Sequence, residues 1–346
     1  MAGVDRLEWE KLVAQAAVQG ASDIHLVPDA PAFFRVCGDI AEAGAGATAQ
    51  EITALLAEWT TPEQRERLQA QGELDFAQEG KDARLRVHAY STRRGVALSV
   101  RLVPKRIPPL GSLGVPPVFQ RMLSLRSGLI LVSGKTGAGK TTTLAAFLDA
   151  VARERAVHIV TLEDTIEYVF SSEKSIVSQR EFGVHFESFG REIRGALRED
   201  TDILLVGELR DADAARAAIS AAETGQLVLA SLHTRSAVEA VHRLESFFPA
   251  VQQQEIRAQL AAVLEAMISQ ELLPARGGGR VLASEVLVAT DAVRHLIRAG
   301  KPEQLASCIV SGAASGMQTL RQDIERLAAQ QKIDPETARR RLEDAR

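Results

Sequence analysis

Apolar residues follow two rhythms along this chain. Up to residue 103 they mostly alternate with polar ones, as in Ser22-Asp23-Ile24-His25-Leu26-Val27, Leu74-Asp75-Phe76-Ala77 and Arg84-Leu85-Arg86-Val87-His88-Ala89-Tyr90. A period of two marks strands with one buried face. Phe33-Phe34-Arg35-Val36 and residues 96–103 read as two more strands. Helical spacing over residues 5–19 sets Leu7, Val13, Ala14, Ala17 and Val18 largely on one side, with Gly20 as the C-cap. Two further helices are expected over 48–59 and 62–71. The small residues 41–49 read as flexible, and the strand expected after Gly38-Asp39 is weak in pattern. Residues 1–103 thus predict a small α/β domain with a largely antiparallel sheet.

The rhythm breaks at residues 104–117, where Pro104, Pro108, Pro109, Pro116 and Pro117 crowd together. Proline lacks an amide donor and fixes φ, so this stretch reads as a semi-rigid linker and a domain boundary. Beyond it the apolar residues bunch into short solid runs at 129–132, 156–162, 203–206 and 227–230, separated by helical segments. Solid runs alternating with helices predict a parallel sheet covered on both faces, over 118–290. Ligands in such sheets sit at the carboxyl ends of the strands. Residues 273–281 read as a hairpin turn, and a helical region over 291–346 is expected, with helices at 291–299, 303–311 and 317–331. Asp334-Pro335 then opens a last short helix.

The first of the solid runs leads into Gly134-Lys135-Thr136-Gly137-Ala138-Gly139-Lys140-Thr141, a complete G-x-x-x-x-G-K-[ST], and then into a helical stretch from Thr142. Strand, glycine loop and helix in that order form a phosphate cradle, in which backbone N–H groups and the helix dipole face the anion. Residues 134–142 are therefore expected to bind a nucleoside triphosphate. Lys140 would reach the β- and γ-phosphates, and the Thr141 hydroxyl would ligate Mg²⁺.

Three further clusters follow strand ends. Glu163-Asp164-Thr165-Ile166-Glu167 reads either as carboxylates that orient water near Mg²⁺ or as a solvated turn. In Asp202-Ile203-Leu204-Leu205-Val206-Gly207-Glu208, glycine stands where such strands commonly end in aspartate, and Glu208 is the candidate general base. His233, in Ser231-Leu232-His233-Thr234, either senses the γ-phosphate or a catalytic carboxylate or is structural. Arginines at 84, 86, 101, 194, 198, 210 and 243 are candidates for meeting transition-state charge, in cis or from a neighbouring subunit. Arg194 and Arg198 share one helix face.

Composition narrows the class. The chain has 346 residues, 46% hydrophobic and 25% charged, with a formal net charge of −4. That balance gives no whole-chain attraction to nucleic acid, and no specific nucleic acid is expected as a partner. Two cysteines, Cys37 and Cys308, make neither a zinc ribbon nor a disulfide framework and fit a reducing compartment. The start resembles no signal peptide, and no apolar run approaches about 18 residues, so a cytoplasmic protein is expected.

The clusters, in this order and spacing, resemble the secretion-superfamily traffic ATPases, most closely the PilT-like type IV pilus retraction ATPases. GASDIHL followed by RVCGD is similar to the family's opening segment, and RLRVHAY to one of its strands. TLEDTIEYVF resembles its aspartate box, ALREDTDILLVGELRD its atypical Walker B, AAETGQLVLASLHT its histidine box, and GMQTL at 316–320 a further motif. The resemblance implies a PAS-like N-terminal domain, a RecA-like P-loop ATPase core and C-terminal helices. It implies a homohexamer that binds ATP and Mg²⁺ between the two domains, near the next protomer's arginines, and turns hydrolysis into domain rotation. Twitching motility by pilus retraction, at the cytoplasmic face of the inner membrane, is the implied task. The implied partners are a membrane platform protein and a paralogous retraction ATPase. Pilus assembly, type II secretion and a nucleotide-gated ring with little turnover remain alternatives.

Overall fold

The computed structural model describes residues 6–36, 38–80, 83–104 and 106–343. Of the positions named above, Asp5, the side chains of Leu7 and Pro104, Cys37, Lys105 and 344–346 lie outside them. The described chain divides into two compact units, one of residues 1–106 with 165–169, the other of 107–164 with 170–346.

The first unit runs α1 (Arg6–Val18), β1 (Ala21–Leu26), β2 (Ala32–Val36), β3 (Asp39–Gly44), α2 (Ala49–Trp59), α3 (Pro62–Gln71), β4 (Glu73–Glu79), β5 (Ala83–Thr92) and β6 (Gly95–Pro104). Its strands form one sheet in the order β3-β2-β1-β6-β5-β4, antiparallel throughout. Leu85, Val87 and Ala89 of β5 are buried while the residues between them are half-exposed, as alternation requires. Capping boxes at Thr48/Glu51 and Thr61/Gln64 fix the starts of α2 and α3 by satisfying two amides each. Trp9, Trp59 and Phe76 pack edge to face in the core.

Two local readings change here. The buried side of α1 is Trp9, Val13 and Ala16, while Val18 is 88% exposed. The bulk of Trp9 in the core sets the helix's rotation, and the small residues Ala14 and Ala17 face outward. Residues 39–44 do form a strand, β3, but almost wholly exposed at the sheet edge. Backbone pairing to β2 holds it, so no apolar alternation marks it in sequence. His25 of β1 is half-buried, and burial pushes its imidazole below the usual range.

The second unit contains α4 (Val118–Met122), β7 (Gly128–Ser133), α5 (Lys140–Glu154), β8 (His158–Glu163), β9 (Ile176–Glu181), α6 (Phe189–Ala196), β10 (Ile203–Val206), α7 (Ala212–Glu223), β11 (Leu227–Leu232), α8 (Ala237–Ser246), α9 (Ala250–Val263), β12 (Leu264–Pro274), β13 (Arg280–Val288), α10 (Asp291–Arg298), α11 (Leu305–Ser311), α12 (Leu320–Ala329) and α13 (Pro335–Glu343). Its sheet order is β13-β12-β7-β11-β10-β8-β9, parallel except for the β12–β13 hairpin. Every residue of β7, β10 and β11 is buried, which is why these strands read as solid runs. Leu110, within the proline-rich stretch, is buried, and its short 3₁₀ turn packs on α5, so residues 107–117 belong to this unit's core edge.

Among the described residues no helix is long and apolar enough to cross a membrane.

Candidate functional site

In the second unit the strands end side by side, and hydrogen bonds across those ends draw the polar clusters into one line. The Gly134 amide, just after β7, donates to Leu232 O of β11 at 3.3 Å. From β11, Ser231 donates its hydroxyl to Gly207 O, and Leu209 N donates back to Ser231 O at 3.0 Å. Gly207 N in turn donates to Leu162 O of β8 at 2.7 Å. The phosphate-loop start, the histidine cluster, the Glu208 segment and the Glu163 segment therefore share one edge.

The loop 134–139 closes onto the start of α5. Lys140 is 9% exposed, and its Nζ donates to Gly134 O at 2.8 Å and Lys135 O at 3.3 Å. These bonds tie the lysine ammonium to the start of the loop. Gly134 is required by packing, since a Cβ there would lie 2.3 Å from Gln270 O of β12. Ala138 N donates to Lys135 O and Thr143 N to Gly139 O, which joins the loop to the first helical turn. Thr141 and Thr142 are half-buried on that turn.

Glu208 stands at the end of β10 with its Oε2 held by Arg210 Nε at 2.9 Å and facing His233 Nε2 at 3.3 Å. The other oxygen, Oε1, makes no hydrogen bond among the described residues, so the carboxylate is oriented through Oε2 alone. Arg210 also reaches Asp164 Oδ1 at 2.9 Å and so ties the β8 end to the β10 end. Glu163 is buried; its Oε1 accepts from Thr161 Oγ1 at 2.7 Å and Gln179 Nε2 at 3.2 Å. Thr161 and Glu163 lie two apart on one strand face, a spacing legible in sequence. Gln179 carries no such signal, because β9 lies outside any recognisable motif.

Gly207 explains the missing aspartate. A Cβ at 207 would meet Leu162 O at 3.2 Å and Glu163 Cα at 3.3 Å, so β8 and β10 approach too closely there for a side chain without a shift. Just past the histidine cluster, Ala237 N at the start of α8 donates to Glu285 Oε1 of β13 at 2.8 Å. Burial pushes the Glu285 carboxyl above its ordinary value, partly offset by that amide and reinforced by Glu239.

Of the arginines, Arg210 alone joins this line. Arg194 pairs with Asp213 through two bonds of 2.7 and 3.0 Å, Arg198 donates to Arg194 O, and Arg243 lies over the Phe247 ring at 4.8 Å. Hydrogen bonding from Arg194 holds the Asp213 carboxyl below its usual range. In the first unit, Arg84 Nε donates to Ile166 O at 2.6 Å, Arg86 pairs with Glu167 at 3.1 Å, and Arg101 with Asp23 at 2.9 Å. Glu163 and Asp164 thus belong to the second unit while Thr165–Val169 pack with the first, which divides the acidic cluster. No group of three His, Cys, Asp or Glu among the described residues could hold a metal ion unaided.

A family model described as type II/IV secretion system protein matches residues 2–340. The type IV pilus retraction ATPase PilT of Pseudomonas aeruginosa is 41% identical over 96% of this chain and 97% of its own. An uncharacterised Escherichia coli protein, YggR, is 43% identical over 92% of this chain and 98% of its own. Among solved structures, the pilus retraction motor PilT with bound ADP superposes with a TM-score of 0.84 at 38% identity, covering 98% of this chain and 96% of that one.

Proposed function

Because the chain belongs to the type II/IV secretion ATPase family, we propose that it is the Mg²⁺-dependent motor of type IV pilus retraction, working as a homohexamer at the cytoplasmic face of the inner membrane on a pilus platform protein. The observation that carries the ATPase chemistry is the Glu208 carboxylate, fixed by Arg210 and facing His233 at the strand ends beside the phosphate loop. Near-full-length identity to a retraction ATPase supports the pilus task.

In this reading Lys140 leaves the loop carbonyls for the β- and γ-phosphates as nucleotide enters. The Thr141 hydroxyl, with the phosphates and water, would hold Mg²⁺, which would supply positive charge beside the transferred group. Glu208 Oε1 takes the proton of the attacking water, and His233 senses the state of that carboxylate. Glu163, held by Thr161 and Gln179, orients water from the β8 side. Arginines such as Arg194, released from surface pairs, would meet the γ-phosphate across a subunit interface. A paralogous retraction ATPase is a further expected partner.

The experiment compares wild type with Glu208→Gln for steady-state ATP hydrolysis, ADP binding and oligomeric state. Loss of a general base lowers turnover by about 10²- to 10⁴-fold, with ADP binding and the ring preserved. Unchanged turnover would remove Glu208 from the chemistry. Wild-type binding without hydrolysis would favour the nucleotide-gated ring. In a deletion strain, lost twitching with surface pili retained supports retraction, whereas lost pili would assign the motor to assembly.

A further inference from the structure

Gln270 of β12 sits one residue past the β7–β12 pairing, which ends at Ser269↔Ser133, and so lies alongside the phosphate loop. It is 4% exposed, and its Nε2 donates to Ala138 O at 2.8 Å. Its Oε1 is buried with no hydrogen-bond partner among the described residues. The bond to Ala138 O and the orphaned Oε1 work against each other in stability, so the amide as a whole gains little from its burial. Its presence on this strand therefore calls for a reason other than stability.

The loop supplies one. The peptide joining Ala138 to Gly139 is planar and trans, so its C=O and N–H point in opposite directions. Holding Ala138 O on the β12 side turns the Gly139 N–H to the opposite side, into the loop. Gly139, at φ +85°, has no side chain to resist a flip of that peptide, and a flipped carbonyl would face the phosphates with the wrong sign. Gln270 also closes on the loop at both ends. Its own carbonyl fills the space where a Gly134 Cβ would stand, 2.3 Å away, and its Nε2 lies 3.4 Å from a Cβ position on Gly139.

We infer that Gln270 is a positioning residue of the phosphate site: by holding the 138–139 peptide in one orientation it keeps a loop N–H aimed at the nucleotide's phosphates without touching them. The inference rests on the reading of 134–141 as the phosphate cradle.

The test measures ADP affinity and thermal midpoint of the full-length protein. Gln270→Met keeps the volume and removes the donor. Expected is a loss of ADP affinity of about tenfold, the worth of one directed hydrogen bond, with ATP KM rising by the same factor and the melting temperature held or raised. Gln270→Glu gives the second arm. Ionised, it sets oxygen against Ala138 O; protonated, its O–H donates as the amide did. Its ADP affinity relative to wild type at the same pH should therefore recover as pH falls. Wild-type affinity in Gln270→Met overturns the inference, as does a lowered melting temperature with affinity unchanged. If Gln270→Met does not fold, absence of acid recovery in Gln270→Glu overturns it. Lys140→Ala separates the two layers: wild-type ADP affinity in that variant would sink the cradle reading itself, whereas its loss beside an unaffected Gln270→Met would sink only the brace.

Discussion

The two sheets of this protein solve the same packing problem in opposite ways, and the difference decides where chemistry can live. In the first unit a strand such as β5 buries one face, so charged side chains stand along its length; Arg84 and Arg86 alternate with buried Leu85 and Val87. In the second unit β7, β10 and β11 are buried on both faces, and polar side chains enter only in the last two positions, as Ser133 and Ser231. The polar clusters are then gathered at one edge, where Gly134, Leu162, Gly207, Ser231 and Leu232 hydrogen-bond across neighbouring ends. A sheet with a wet face displays its arginines, whereas a dry sheet concentrates its acids, lysine and histidine in one row.

The comparison breaks most sharply if the two cores are not separate. Phe34 is 1% exposed in the first core and Leu131 fully buried in the second. Phe34→Ala should cost about 3–5 kcal/mol and Leu131→Ala about 2–5 kcal/mol. Calorimetry of the two variants should show each lowering a different transition. One shared transition moved equally by both would mean the sheets melt as a single body.

A smaller effect sharpens the contrast between strand ends and helix surfaces. Gly207→Ala places a methyl against Leu162 O and the Glu163 backbone, and should cost about 1–3 kcal/mol as overpacking. Turnover should fall with it, because Glu163 ends β8 and Glu208 directly follows Gly207. Gly195, on α6, has nothing within 4 Å of the place a methyl would take, and should behave with the opposite sign. There Gly195→Ala removes backbone entropy and should stabilise by about 0.5–1 kcal/mol. Chemical denaturation of both variants checks the pair; equal and small effects would mean the strand ends are more yielding than their packing indicates.

How much of this was legible in the sequence follows the same division. The dry strands announce themselves, because burial on both faces forces a solid apolar run, and the phosphate loop is written in its glycines. The edge strands do not. β9, Ile176–Glu181, is mostly half-exposed and carries Ser178, Gln179, Arg180 and Glu181, so no period betrays it, yet it delivers Gln179 to Glu163. β3 is hidden for the same reason. Glu208 could be found from its place after an apolar strand. Its partner Arg210 could be named only as one arginine among several, since spacing does not say that one guanidinium will span Glu208 and Asp164. Gln270 sits between Ser269 and Glu271, where nothing in sequence singles it out, and its target in the loop lies 132 positions away.

The gentlest test of the comparison concerns a carboxyl just off the row. Glu285 lies on β13 and caps the start of α8 through Ala237 N, close behind the histidine cluster. Burial raises its carboxyl above the ordinary value, and Glu239 adds to the rise. A raised acid binds its proton more tightly in the folded state than in the unfolded state. Stability is therefore greatest below the unfolded value and declines as pH climbs from there through the folded one. Glu285→Gln keeps an oxygen for Ala237 N and removes the ionisation. The variant should match wild type in acid and melt higher at neutral pH, by less than either glycine variant shifts. A difference of the same size at both pH values would trace the effect to packing. A lower melting temperature at neutral pH would mean that the ionised carboxylate gains more from the helix start, with its amide and dipole, than burial takes away.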